Sequence, residues 1–176
     1  MTIEHGWQSL TLTLFRRVRR EFVAAVEGLT DTALEHRLTP ATNSVGWLAW
    51  HIARGQDRNL SELTGLPQLW LTDGWADRFG RPADPADTGF GHSAAAAAAF
   101  RSPGGATLLA YQEAAHGIAE RCLAAAPDGD LGRVVVSVTL GNAHSVADRL
   151  GGQLDDCFAH LGQIALLESL RAGDPR

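Results

Sequence analysis

Apolar residues recur at three- and four-residue steps through four long stretches of the chain, the spacing of amphipathic helices. In the first, Trp7, Leu14, Phe15, Val18, Phe22, Val26 and Leu29 predict a helix over about residues 3–27. Asp31 reads as the N-cap of a short turn reaching Glu35, and Pro40 breaks the chain. Asn43 or Ser44 caps a second long helix, whose stripe is Val45, Leu48, Ile52, Leu60 and Leu63. It ends near Thr64, where Gly65 and Pro67 cannot continue it. The third, over about residues 105–126, turns Leu108, Leu109, Tyr111, Ala115, Ile118, Ala119 and Cys122 inward and stops at Pro127-Asp128-Gly129. The fourth covers about residues 145–171, with a wide apolar sector running from Val146 and Leu150 to Ile164 and Ala165 and Gly173 beyond its end.

The stretch from Leu66 to His92 lacks that period and is rich in Pro, Gly and Asp. It also carries Trp70, Trp75, Phe79 and Phe90, so it reads as an ordered loop packed across one end of a bundle, with a short helix near residues 73–79. Ser93 caps a short helix through Phe100. Residues 133–140, with Val134, Val135, Val136 and Val138, are extended, and their pairing partner is left open. Together these elements predict an all-α four-helix bundle, residues 1–176 forming a single domain, with the long loop between helices 2 and 3.

Charge narrows the function classes. A formal net charge of −5 argues against a nucleic-acid surface, and the Arg16, Arg17, Arg19, Arg20 cluster reads as the solvent face of the first helix. All 15 basic residues are arginine. A Schiff-base lysine, a pyridoxal-phosphate site and a lysine-dependent phosphate loop are therefore excluded. Richness in Arg, Ala and Gly suggests a GC-rich genome. Cys122 and Cys157 lie inside predicted helices, as suits thiols of a reducing compartment. No apolar run spans a bilayer and no signal pattern is present, so the expectation is a cytoplasmic protein with no membrane partner.

One constellation carries chemistry. Asp156 and His160 are four residues apart on the fourth helix and so share a face. Arg149, Gln153, Asp156, His160 and Gln163 form a polar line bordering the apolar sector, where a plain bundle helix would turn its polar groups to water. His51 lies at the edge of the second helix's stripe, beside Trp47 and Gly55, the glycine leaving room next to the imidazole. A bundle can bring these faces together, so His51, Asp156 and His160 form a candidate metal set of two nitrogens and one oxygen. Gln153 and Gln163 are candidates to orient the ligands by hydrogen bonds. Arg54 and Arg58, beyond His51 on its helix, are candidates to hold a substrate carboxylate. No catalytic residue is assigned. Asp155 faces solvent and Cys157 the core by helical angle, His92 and His144 make capping or loop contacts, and His5, His36 and His116 are surface or structural.

The run Asn43-Ser44-Val45-Gly46-Trp47-Leu48-Ala49-Trp50-His51-Ile52-Ala53-Arg54, the loop Pro67-Gln68-Leu69-Trp70 and the run His160-Leu161-Gly162-Gln163-Ile164 resemble the DinB-like family, small bacterial helical proteins related to the mycothiol-dependent maleylpyruvate isomerases. The resemblance covers nearly the whole chain. It implies an up-down-down-up bundle, a homodimer, and one divalent metal, zinc or nickel most often. The family's usual ligands are three histidines, and His51 and His160 match two of them. Asp156 stands at the third position, a departure that leaves a possible ligand with altered metal preference. Characterised relatives use a low-molecular-weight thiol, mycothiol or bacillithiol, as transferases or isomerases of small molecules. Two other readings keep the same residues: a non-haem iron enzyme with a two-His, one-Asp site, or a non-catalytic, stress-associated dimer in which they form a hydrogen-bonded cluster.

Overall fold

The computed structural model describes residues 6–173; the predicted helix start at Ile3 and the reading of His5 lie outside the described residues. Four long helices form the bundle: α1 (Trp7–Val26), α3 (Val45–Thr64), α7 (Gly105–Ala125) and α8 (Val146–Ala172). Short helices α2 (Asp31–Leu34), α4 (Leu69–Thr72), α5 (Trp75–Arg78) and α6 (Ala94–Ala99) lie in the connections. Polar residues cap the helices, but before α2 the cap is Thr30, whose hydroxyl accepts from Ala33 N–H, and not Asp31, which is the first helical residue. The Ser44 hydroxyl accepts from Trp47 N–H, Ser93 from Ala96 N–H and Ser145 from Asp148 N–H. Gly65, at φ 71°, closes α3 in the left-handed conformation that a side chain would resist.

Both α1 and α3 pack against α7 and α8, so α1 and α3 stand at opposite corners. Side-chain pairs fix the directions. Arg16 meets Glu120 and Arg19 meets Glu113, which makes α1 and α7 antiparallel. Gln56 donates to Cys157, Asn59 to Gln153 and Arg149 to Glu62, which makes α3 and α8 antiparallel. Gly46 lies against Ser102 and Asp57 against Tyr111, which makes α3 and α7 parallel and therefore α1 and α8 parallel, with Arg17 over Phe158. The order is up-down-down-up, as the resemblance implies. Phe15, Phe22, Trp50, Trp70 and Tyr111 are among the largest fully buried side chains of one continuous core.

The loop after α3 is ordered because α3 holds its beginning. Asp57, fully buried, accepts from Leu69 N–H and Trp70 N–H, each at 2.8 Å, and from the Tyr111 hydroxyl at 2.7 Å. Arg54 Nη1 lies 3.7 Å from the same carboxylate. Trp70, Trp75 and Phe79 then pack around Tyr111 in tilted and edge-to-face contacts, which seats the loop over the bundle.

The extended Val-rich stretch has a partner. β1 (Val134–Val136) pairs antiparallel with β2 (Ala143–Ser145), Val134 opposite Ser145. Ala-His-Ser has little strand propensity and lies against the cap of α8, so local preference did not reveal it. Glu62 anchors the hairpin: Oε1 accepts from Ser137 and Thr139, and Oε2 from Arg149.

Candidate metal centre

His51 projects from the second turn of α3 and Asp156 and His160 from the middle of α8, so the antiparallel contact brings all three together. Asp156 Oδ1 lies 3.5 Å from His51 Nε2 and 3.3 Å from His160 Nε2. One ligand atom from each of the three lies within 4.8 Å of the others. The two imidazole rings meet edge to face at 4.9 Å.

The outer nitrogens decide which tautomer faces inward. His51 Nδ1 lies 2.5 Å from the Thr88 carbonyl oxygen, which can only accept, so Nδ1 carries the proton. His160 Nδ1 donates to Gln163 Oε1 at 2.9 Å. When neutral, each imidazole therefore turns a bare Nε2 lone pair toward Asp156; when protonated, it donates from Nε2 to that carboxylate. Three lone-pair-bearing atoms this close repel one another unless a proton or a cation lies among them. Burial would push the Asp156 carboxyl up, but the contacts with His160 and His51 outweigh it and hold the carboxyl below the usual carboxylate range. Burial likewise opposes charge on His160, but Asp156 and Gln163 raise it above the ordinary histidine value.

The residues fit a divalent first-row cation. Two imidazole nitrogens and one carboxylate oxygen suit zinc, nickel or iron, and three protein ligands leave a position open. The set is braced from outside. Trp47 stacks on His51, rings 4.9 Å apart and 16° from parallel, and its indole N–H donates to His92 Nδ1. His92 Nε2 in turn meets Asp87, the loop contact expected of it.

Of the expected supporting residues, Gln163 hydrogen-bonds His160. Gln153 does not touch the ligands: it accepts from Asn59 and donates to Cys157 Sγ. Its amide also occupies the space beside Gly55, which was expected to serve His51. The two arginines separate. Arg54 is fully buried, donating to Gln68, Asp84 and Pro85 and paired with Asp57, so it braces the loop and cannot meet a substrate. Arg58 lines a cleft of about 300 Å³ together with His51, Asp156, Thr88 and Phe90. Asp155 is exposed and Cys157 buried, both as their helical angles indicate.

Thr88 was missed, because a backbone carbonyl leaves no mark on residue type. The available signal was the pair of glycines around Phe90. Gly89 has φ 89°, and a Cβ there would lie 2.7 Å from Trp47 and 3.0 Å from His51 Nδ1.

An α-helical bundle that converges two imidazoles and a carboxylate from facing helices has an arrangement that could hold a metal ion. Comparison with known families goes further: the DinB superfamily model matches residues 14–164, and the chain belongs to that superfamily. Among solved structures, a conserved protein from Enterococcus faecalis aligns over 96% of this chain and 99% of its own, with a TM-score of 0.84 and 24% identity. That likeness shows the fold. No curated protein matches the chain.

Proposed function

We propose that this protein holds one divalent cation, zinc or nickel, on His51, Asp156 and His160, and works as a thiol-dependent transferase or isomerase of a small molecule. The observation that carries the reading is the pair of fixed tautomers. Thr88 and Gln163 take the Nδ1 protons, so that each imidazole in its neutral form offers Nε2 to a cation beside the Asp156 carboxylate, and His51 and Asp156 line the cleft. The cation would supply the Lewis acidity that lets a bound thiol lose its proton near neutral pH. The protein's residues do the rest. His51 and His160 hold their positions through Thr88 and Gln163, and Asp156 offsets one unit of charge. Trp47 covers one face of His51 and keeps water from it.

The proposal includes a homodimer and a reducing, cytoplasmic setting. Exposed Leu166 and Leu170 on α8 offer apolar surface for the first, and two free cysteines suit the second. Among the described residues no helix is long and apolar enough to cross a membrane.

The test is calorimetric titration of the Zn²⁺-loaded, full-length protein with mycothiol. The proposal expects saturable binding with about one proton released per thiol, and none in His160→Ala. A wild-type protein that takes up Zn²⁺ but gives no thiol binding refutes the thiol chemistry.

A further inference from the structure

Arg58 is unusually placed. It is half-buried on α3, lines the cleft beside His51 and Asp156, and makes no ion pair among the described residues. Its neighbours do not replace one. Nη2 donates to Asn59 at 3.0 Å, Nη1 reaches Thr139 only at 3.5 Å, and Nε is shut from solvent with no partner. Glu62, the nearest candidate, is already taken by Arg149, Ser137 and Thr139. Burial acts first on this guanidinium and lowers its pKa. Glu62 and Asp156 act on it from beyond ion-pairing distance, and a partly desolvated cation with no carboxylate in direct contact is an arrangement that a bound anion would relieve.

The same cleft has an apolar mouth. Phe90 is 77% exposed and Leu140 is 39% exposed, and they come from different segments, the long loop and the β1–β2 hairpin. A large ring left in water at the edge of a cleft points to a ligand surface. Asn59, whose Oδ1 accepts from Arg58, also lines the cleft.

We infer that the cleft selects a reactant with one carboxylate and an apolar body, the carboxylate set against Arg58 and the body between Phe90 and Leu140. This rests on the proposed function only in taking the cleft's occupant for a reactant. A planar aryl or alkenyl acid has the required chemistry; a neutral sugar or a polycation does not.

The test uses the full-length protein in the presence of chelator, so that carboxylate binding is read without metal. Trans-cinnamate, its neutral amide cinnamamide and the smaller acrylate are titrated by ligand-observed NMR. Cinnamate binds best. Cinnamamide is weaker by about tenfold or more, as expected for loss of one charge-assisted hydrogen bond. Acrylate is also weaker, having lost the ring. Arg58→Gln binds cinnamate no better than wild type binds the amide, and Arg58→Lys, which keeps the charge, recovers part of the loss. Equal binding of acid and amide, or unchanged cinnamate affinity in Arg58→Gln, overturns the assignment. Far-UV circular dichroism of each variant reports folding. A separate Zn²⁺ titration of Arg58→Gln, expected to show no weakening, keeps this outcome distinct from failure of the metal site.

Discussion

His51 Nδ1 hydrogen-bonds the carbonyl oxygen of Thr88, 37 residues further along the chain. A loop thereby sets the protonation of a helix residue, and the nitrogen facing the cleft is left free to ligate. The bond depends on Gly89, whose φ of 89° carries the backbone past Trp47 and His51 where no side chain fits. Gly89→Ala is therefore expected to destabilise the protein by about 1–3 kcal/mol. It should also weaken Zn²⁺ binding by about 10–100-fold, the usual effect of losing a ligand's outer partner. Urea denaturation and zinc titration check the two effects, and full zinc affinity would show that the Thr88 bond does not matter.

The metal-free cluster makes stability depend on pH in two directions. His160 is raised by its partners, so its contribution is complete below the ordinary histidine value and fades as pH rises through its folded value. Asp156 is lowered, so its contribution is complete above the ordinary carboxylate value and fades as pH falls through its folded value. With chelator present, the melting temperature should be highest in the weakly acidic range between these limits, and Asp156→Asn should flatten the profile. Zinc requires the bare Nε2 atoms, so its affinity should instead climb as pH rises through the His160 titration. An alkaline optimum in chelator would contradict the cluster's geometry.

Asp57 and Arg54 are predicted to be structural. Asp57→Ala leaves Arg54 charged and buried without a counterion, at a cost of about 3–5 kcal/mol. Tyr111→Phe removes one hydrogen bond to the same carboxylate and should cost about 1 kcal/mol, since Trp70 N–H still holds that oxygen. Chemical denaturation of the two variants should reproduce this ranking. The reverse order would mean that the loop is anchored elsewhere.

Cys157 neighbours Asp156 in sequence but is not a ligand. Burial pushes its thiol up to about 12, and Gln153 and Gln56 donate to its sulfur. It should resist thiol reagents at pH 8 until the protein is unfolded, and Co²⁺-substituted protein should lack sulfur-to-cobalt charge-transfer absorption. Rapid labelling of Cys157 in the folded state would show that the helix face is wrongly assigned.

The long helices were legible because their period is local, and Ser93 and Gly65 declare themselves as caps by residue type; Ser44 was one of two candidates with Asn43, and before α2 Thr30 caps in place of the expected Asp31. The convergence of His51, Asp156 and His160 was legible too, through the four-residue step from Asp156 to His160 and the stripe-edge position of His51. What the sequence hid was non-local. The hairpin needed a partner of low strand propensity, and Thr88 acts through its carbonyl. Arg54 and Arg58 are both arginines on one helix. Four residues apart, they share a helix face, and only the loop packed over Arg54 through Gln68, Asp84 and Pro85 separates it from Arg58, which stays in the cleft. Gln153 lies on the predicted polar line but spends its amide on Asn59 and Cys157.

The most direct measurement is calorimetric Zn²⁺ titration of the untagged full-length protein beside His51→Ala, Asp156→Ala and His160→Ala. The account predicts one zinc per chain in the wild type, and in each variant a loss beyond the about 10–100-fold that outer partners alone produce. Wild-type affinity retained in the two histidine variants would contradict it.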